Sequence, residues 1–319
     1  MRRGILGKYI FRRMIYLIPV IIGVSIITFG LSQIAPGDPA EIILRENGIE
    51  PTKEAIQHLR EQLKINDPII KQYVRWFLNV LNGDLGNSFY TKQPVLQEIT
   101  SRLPATFELA IFSYILTIII SFPLGIFSAI YKNTWIDNLS RCFAFIGASM
   151  PSYWLGLILI YFLSVKLSIF PVMGRGTLKH LLLPALTLAL GMASTYARLL
   201  RGSMLEVLGE DFILSARARG IREFIVIYYN ALKKALLPVV TSLGISFGYL
   251  LGGTVIVENI FAWPGVGQLL VEAIFTRDYP VIQGYVLWMS IIFVFVNLIV
   301  DILYKFLDPR ISIQKGSNE

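Results

Sequence analysis

Six long apolar runs constrain what this chain can fold into. They lie near 10–34, 105–130, 139–164, 181–200, 236–257 and 284–306. About 20 helical residues cross a hydrocarbon core of about 30 Å, and each run is close to that length. Backbone groups in lipid must be paired within the span, so runs of this kind read as helices. Only 16% of residues are charged and 55% are hydrophobic, against roughly 25% charged in a soluble domain. The predicted class is an all-α polytopic membrane protein with six transmembrane helices. The net charge of +8 does not point to nucleic acid, because the bases gather at the ends of the apolar runs.

That gathering predicts orientation. With the N-terminus inside, segments 1–13, 131–141, 198–235 and 305–319 hold 17 Lys and Arg, while the short external loops 165–180 and 258–282 hold 4. Both termini are therefore expected in the cytoplasm. Arg2, Arg3, Lys8, Arg12 and Arg13 precede the first run, as in a signal peptide. The run from Ile15 to Ile34 is too long for a typical signal core, and Pro36 directly after Ala35 disfavours cleavage. An uncleaved first span is expected.

The chain divides by this reading into a tail with the first span (1–35), an external segment (36–103) and a five-helix core (104–319) containing a cytoplasmic segment at 201–236. In the external segment, Ile56, Leu59 and Leu63 share a helical face. A second helix is predicted from Ile69 to Leu81, with Gly83 as its stop. Two short helices in about seventy residues make a weak core, so the segment is expected to fold against the membrane domain or lie flat on the bilayer.

Segment 201–236 predicts a short helix. Glu210 and Asp211 open it, Arg217 and Arg219 close it in accord with the helix dipole, and Gly220 stands at its stop. Such a helix is a docking element or an ordinary solvated loop helix. In 258–282, Pro264, Gly265 and Gly267 are expected to fix a sharp turn. Phe261 and Trp263 are then exposed rings that seat on a partner or fold into a channel mouth, or else an aromatic anchor at the membrane interface.

Enzymatic motifs are missing. Gly4-Ile-Leu-Gly-Lys8 has the wrong spacing for a phosphate loop. His58 and His180 are far apart in sequence, and the one cysteine, Cys142, can form no intrachain disulfide. Glu108 and Asp301 are the acids read near span ends, where structural and functional roles are equally open. No acidic or histidine relay marks a proton-driven pump. A channel subunit driven by a separate ATPase fits better than a self-powered secondary transporter.

Ser215-Ala-Arg-Ala-Arg-Gly220 with Leu237-Pro238 resembles the EAA loop of ABC importer permeases. Leu214 and Ser215 stand where that motif has Glu and Ala, and the Gly-to-Leu-Pro distance is longer than in sugar-importer permeases. Both departures look like the dipeptide, oligopeptide and nickel branch. Further segments agree in order: Pro36-Gly-Asp-Pro39, Gly83-Asp-Leu-Gly-Asn-Ser-Phe89, Pro104-Ala-Thr-Phe-Glu-Leu-Ala110, Arg198-Leu-Leu-Arg-Gly-Ser-Met-Leu-Glu206, Glu258-Asn-Ile-Phe-Ala-Trp-Pro-Gly-Val-Gly267, Arg277-Asp-Tyr-Pro-Val-Ile-Gln283 and Leu307-Asp-Pro-Arg-Ile311.

The resemblance implies the type I ABC importer permease fold in a bacterial or archaeal cell membrane. It implies a second homologous permease, two ATP-binding subunits carrying ATP and magnesium, an extracellular solute-binding protein and lipid as partners. This chain itself would hold no metal or cofactor and no catalytic residue. Phe212, Ile213, Ser215, Ala216, Arg217, Arg219 and Gly220 would form the coupling helix, with Phe212, Ile213 and Ala216 packed into a groove of an ATPase. Phe261, Trp263, Pro264 and Gly265 would form a gate or dock the binding protein. The short loop 165–180 and the sequence Ile260-Phe-Ala-Trp-Pro-Gly-Val-Gly267 look more like nickel-type permeases. Nickel, free or chelated, is the expected substrate, with dipeptides or oligopeptides as the alternative.

Overall fold

A computed structural model of the chain describes residues 2–34, 37–46 and 48–307. The Ala35–Pro36 junction and the tail with Arg310 and Lys315 lie outside the described residues, as do the side chains of the N-terminal bases through Arg13 and of Asp301. The described residues are helical, apart from loops and one isolated antiparallel bridge between Asn87 and Pro94. They fall into two compact units, one within Met1–Ala105 and Pro264–Leu298, the other within Thr106–Trp263 and Ile299–Glu319.

The first unit holds α1 (Arg2–Ile34), α2 (Pro39–Glu46), α3 (Lys53–Gln62), α4 (Ile69–Leu81), the start of α5 (Val95–Ile130), α12 (Val266–Thr276) and most of α13 (Tyr279–Leu307). Thr52 caps α3 by accepting the Ala55 N–H at 3.2 Å, which satisfies one orphan donor of the first turn. The predicted stop of α4 is present: Gly83 has φ +81°, and the Asp84 N–H returns to the Asn79 carbonyl at 2.9 Å. Loop 87–94 closes around one carboxylate. Asp278 accepts from Ser88 Oγ at 2.5 Å and from the Phe89 and Tyr90 N–H groups at 3.1 and 3.3 Å. The buried acid is thus satisfied by three donors, and it ties the loop to the start of α13.

The second unit holds the rest of α5, α6 (Trp135–Ser149), α7 (Ser152–Leu159) with a π-helical continuation (Ile160–Lys166), α8 (Leu178–Leu208), α9 (Asp211–Ala218), the single turn α10 (Glu223–Ile225), a π-helical segment (Val226–Ala231) and α11 (Leu232–Ile260). At its centre, α8 packs against α6, α7 and α11. It presents Ala185, Ala189, Ala193 and Ala197 at four-residue spacing, all buried. Small side chains in such a row let neighbouring backbones come close, as in packed membrane helices. On α6, a Cβ placed on Gly147 would lie 1.9 Å from Ser194 Oγ and 3.0 Å from its Cβ, so a larger residue at that crossing would force Ser194 to shift.

Four helical stretches among the described residues are long and apolar enough to span a membrane: Val95–Ile130, Leu178–Leu208, Glu223–Gly252 and Tyr279–Val300. Two bent pairs bring the number to as many as six. The first pair is Ile18–Ile34 with Pro39–Arg45, bent by 69°. The second lies in the run 139–164, where Pro151 predicts a kink and the structure makes a sharp bend. Trp135–Ser149 and Ser152–Lys166 meet at 109°. Met150 is extended, with ψ 127°, because the ring of Pro151 disfavours helical geometry at the residue before it, and Pro151 has no N–H to continue the ladder.

Candidate functional site

The connection from α8 to α11 folds as its sequence predicts. Glu210 precedes α9 in an extended conformation and Asp211 occupies the first turn. Gly220 has φ +73°, its N–H reaches the Arg217 carbonyl at 2.9 Å, and the Ile221 N–H reaches Ala216 at 3.2 Å. These are the paired bonds of a Schellman motif, and the left-handed position is cheap only for a residue without Cβ. Nothing lies within 4 Å of a Cβ at Gly220. The demand for glycine is therefore conformational, not steric.

The structure divides the residues of this helix by face. Ile213 and Ala216 are buried in this chain's own core with Met204, Val207, Val226 and Ala231. They anchor α9 from beneath, which corrects the expectation that they pack into a partner's groove. A helix of two turns carries one apolar stripe, and the chain's own core has claimed it. Phe212, Leu214, Ser215, Arg217 and Arg219 point outward. Arg217 holds Glu223 with both branches, Nε at 3.1 Å and Nη2 at 2.6 Å. Hydrogen bonding to that carboxylate raises the guanidinium above its ordinary pKa, so it stays charged. The Lys234 ammonium pairs with Glu210 and lies 5.0 Å from the Phe212 ring centre. α9 is thus tethered to the segments that follow it.

α6 and α8 share a tie that the sequence reading missed. Asp137, fully buried at the start of α6, accepts from Arg201 on α8, from Ser128 Oγ at 2.7 Å and from the Asn133 N–H at 3.0 Å. Asp137 sits two residues before the third apolar run, where it reads as loop. No spacing rule joins it to Arg201, which stands just after the fourth run, 64 positions on.

The turn after α11 is built differently from expectation. The reversal is made by Ala262 in the left-handed region, φ 45°, with the Trp263 N–H on the Glu258 carbonyl at 2.8 Å and the Ala262 N–H on Asn259 at 3.2 Å. This is again a Schellman closure, and Pro264 only follows it. Phe261 and Trp263, expected as exposed rings, are 2% and 1% accessible. Burying such rings removes a large apolar area from water, which the short chain reversal makes possible. Pro264 is exposed, and Gly265 is buried where α12 begins.

Loop 167–177 fastens this turn. The Gly174 N–H donates to the Phe261 carbonyl at 2.9 Å. Arg175 donates to Glu108 of α5 from Nε at 2.8 Å and Nη2 at 2.5 Å, and its guanidinium lies 5.7 Å from the Trp263 ring centre. Below them Thr106 Oγ1 donates to the fully buried Glu258 at 2.7 Å. Glu108, left open between structural and functional roles, is therefore an ion-pair partner beside the turn. Arg175 and Glu258 were not singled out as contributors.

Residues 6–110 match the family model described as binding-protein-dependent transport system membrane component, N-terminal, and residues 121–313 match that of the binding-protein-dependent transport system inner membrane component. The glutathione transport system permease protein GsiC of Escherichia coli K12 is 40% identical over 95% of this chain and 98% of its own length. The dipeptide transport system permease protein DppB of Alkalihalophilus pseudofirmus is 41% identical over 95% of this chain and 99% of its own. A solved structure described as an inward-facing conformation of the MetNI methionine ABC transporter superposes with a TM-score of 0.57 at 20% identity, over 66% of this chain and 97% of that one.

Proposed function

The chain belongs to the family of binding-protein-dependent transport system inner membrane components, and from that premise we propose that it forms half of the translocation pathway of a peptide importer. It is a permease subunit of an ABC importer, a multi-pass cell-membrane protein with the type I fold and not an enzyme. The self-powered secondary transporter is set aside. Small peptides, with glutathione and dipeptides as the first candidates, are the substrate class. The observation that carries this is identity of 40% and 41% along nearly the whole chain with permeases named for glutathione and for dipeptides. The same comparison draws the reading away from nickel, whose support was a short loop and one turn motif.

In this reading the chain pairs with a second homologous permease. Two ATP-binding subunits with ATP and magnesium sit on the side of α9, and a solute-binding protein docks on the side of the α11–α12 turn. Both termini and α9 are cytoplasmic, as the distribution of Lys and Arg supports. The coupling helix touches an ATPase through Phe212, Leu214, Ser215, Arg217 and Arg219, while Ile213, Ala216 and the Gly220 cap keep it rigid. Phe261, Trp263, Pro264 and Gly265, with the Glu108–Arg175 pair, form the outer gate. The test is reconstitution of the complete transporter in vesicles. Glutathione or dipeptides presented with the binding protein should stimulate ATP hydrolysis and accumulate. Stimulation by nickel–histidine alone, with peptides inert, would overturn the assignment.

A further inference from the structure

We propose that α4 is an interfacial helix, its open aliphatic stripe immersed in the acyl chains of the leaflet that borders residues 36–103. The helix sorts its side chains into three sectors. Lys71, Gln72, Arg75 and Asn79 share the polar side, and Arg75 is paired with Asp67. Tyr73, Trp76 and Phe77 form a ring cluster that reaches α1, with Phe29 centred 5.5 Å from both Tyr73 and Trp76. The third sector holds Ile70, Val74, Leu78 and Leu81, which are 77%, 47%, 53% and 66% exposed. The apolar side is thus half covered by α1 and half open. In water, four aligned aliphatic side chains would leave much of their apolar area unburied.

Depth identifies the occupant. Tyr73 Oη lies 2.8 Å from Ser25 Oγ, inside the apolar run of α1. Ser25 precedes Ile34, the last described residue of α1, by nine positions, or about 14 Å at ~1.5 Å per residue. Phe29 precedes it by five, or about 7.5 Å on the same rise. The aromatic sector therefore meets α1 below the end of its apolar surface. Interfacial helices bury their apolar side about 5–10 Å into the headgroup and acyl boundary. Around that contact α1 exposes Ile26, Ile27 and Leu31, a surface that faces lipid in a membrane-spanning permease. The stripe on α4 continues that surface. Lys71 borders the stripe with a stem long enough to bring its ammonium back to water.

The experiment uses the assembled transporter in phospholipid vesicles, with Cys142→Ser as background and a nitroxide attached at Val74→Cys or, separately, Asn79→Cys. Power saturation compares relaxation by oxygen, which concentrates in acyl chains, with relaxation by a water-soluble chromium chelate. The expected result is oxygen access exceeding chelate access several-fold at 74, with the order reversed at 79. Chelate access at 74 matching that at 79 would place the stripe in water. Poor access of both relaxants at 74 would place it under another protein surface. Either result overturns the proposal.

Discussion

Arg201 on α8 grips Asp137 on α6 with two parallel bonds, Nε to Oδ1 at 2.7 Å and Nη2 to Oδ2 at 2.8 Å. The acid is fully buried and the arginine only 22% exposed. Breaking such a pair strands one charge, at a cost of about 3 kcal/mol. Asp137→Ala is expected to lower the thermal midpoint of the detergent-purified complex clearly. Arg201→Lys keeps the charge but loses the two-pronged geometry, and should fall between Asp137→Ala and the parent. Melting curves of both variants coinciding with the parent's would show that the pair is not a fastening.

Gly220→Val should uncouple transport. A β-branched residue in the left-handed region costs roughly 1–2 kcal/mol, and the open space around the site leaves no steric complication. Asn tolerates that conformation better, so Gly220→Asn should retain much more activity. The measurement is substrate-stimulated ATP hydrolysis at matched membrane levels. Equal stimulation in Gly220→Val and the parent would remove the coupling role.

The two faces of α9 should respond differently. Ile213→Ala hollows the core beneath the helix, and is expected to destabilise by about 2–4 kcal/mol. Leu214→Glu changes an outward residue, and should leave the melting midpoint nearly unchanged while weakening capture of the ATP-binding subunits in pull-down. The opposite pattern would mean that the helix presents its other side.

At the far end, exchanging charges tests the Glu108–Arg175 pair. Both groups are 40% exposed, so the pair contributes only about 0–1 kcal/mol to stability, and the single variants should fold. Glu108→Arg is expected to impair transport, and Glu108→Arg with Arg175→Glu to recover part of it. Lack of any recovery would point to roles other than mutual pairing.

Topology has its own check. In a Cys142→Ser background, a cysteine at Gln62 should react with an impermeant thiol reagent in intact cells, and one at Gly209 should not. The reverse labelling would invert the orientation.

The spans were legible because apolar length is a strong signal, and α9 was legible because acids, bases and glycine stood where a capped helix needs them. Other features were not. At Met150–Pro151 the proline marks a kink by its missing donor, but hydropathy gives no sign that the bend reaches 109°. Trp263 looked exposed because the sharp turn was assigned to Pro264 and the glycines after it, whereas Ala262, one residue before the ring, makes the reversal. Ile213 and Ala216 looked available to a partner because two turns of helix do not disclose which face the parent fold has taken. Asp137 and Arg201 are 64 positions apart in sequence, and only packing of α6 on α8 brings them together.

The π-helical segment Val226–Ala231 has a consequence for the helix above it. Ile227, Ala231, Ala235, Val239 and Leu243 are all buried, at strict steps of four. In an α-helix of 3.6 residues per turn, each step of four drifts about 40°, so such a row slants around the helix as it rises. A π turn, bonded to the fifth residue, is wound more loosely and takes back part of that drift. That loosening acts on the lowest step, from Ile227 to Ala231, and the row above it follows ordinary α-helix. All five residues share one core cluster with Ile213 and Ala216, so a load carried by α9 bears directly on the foot of α11.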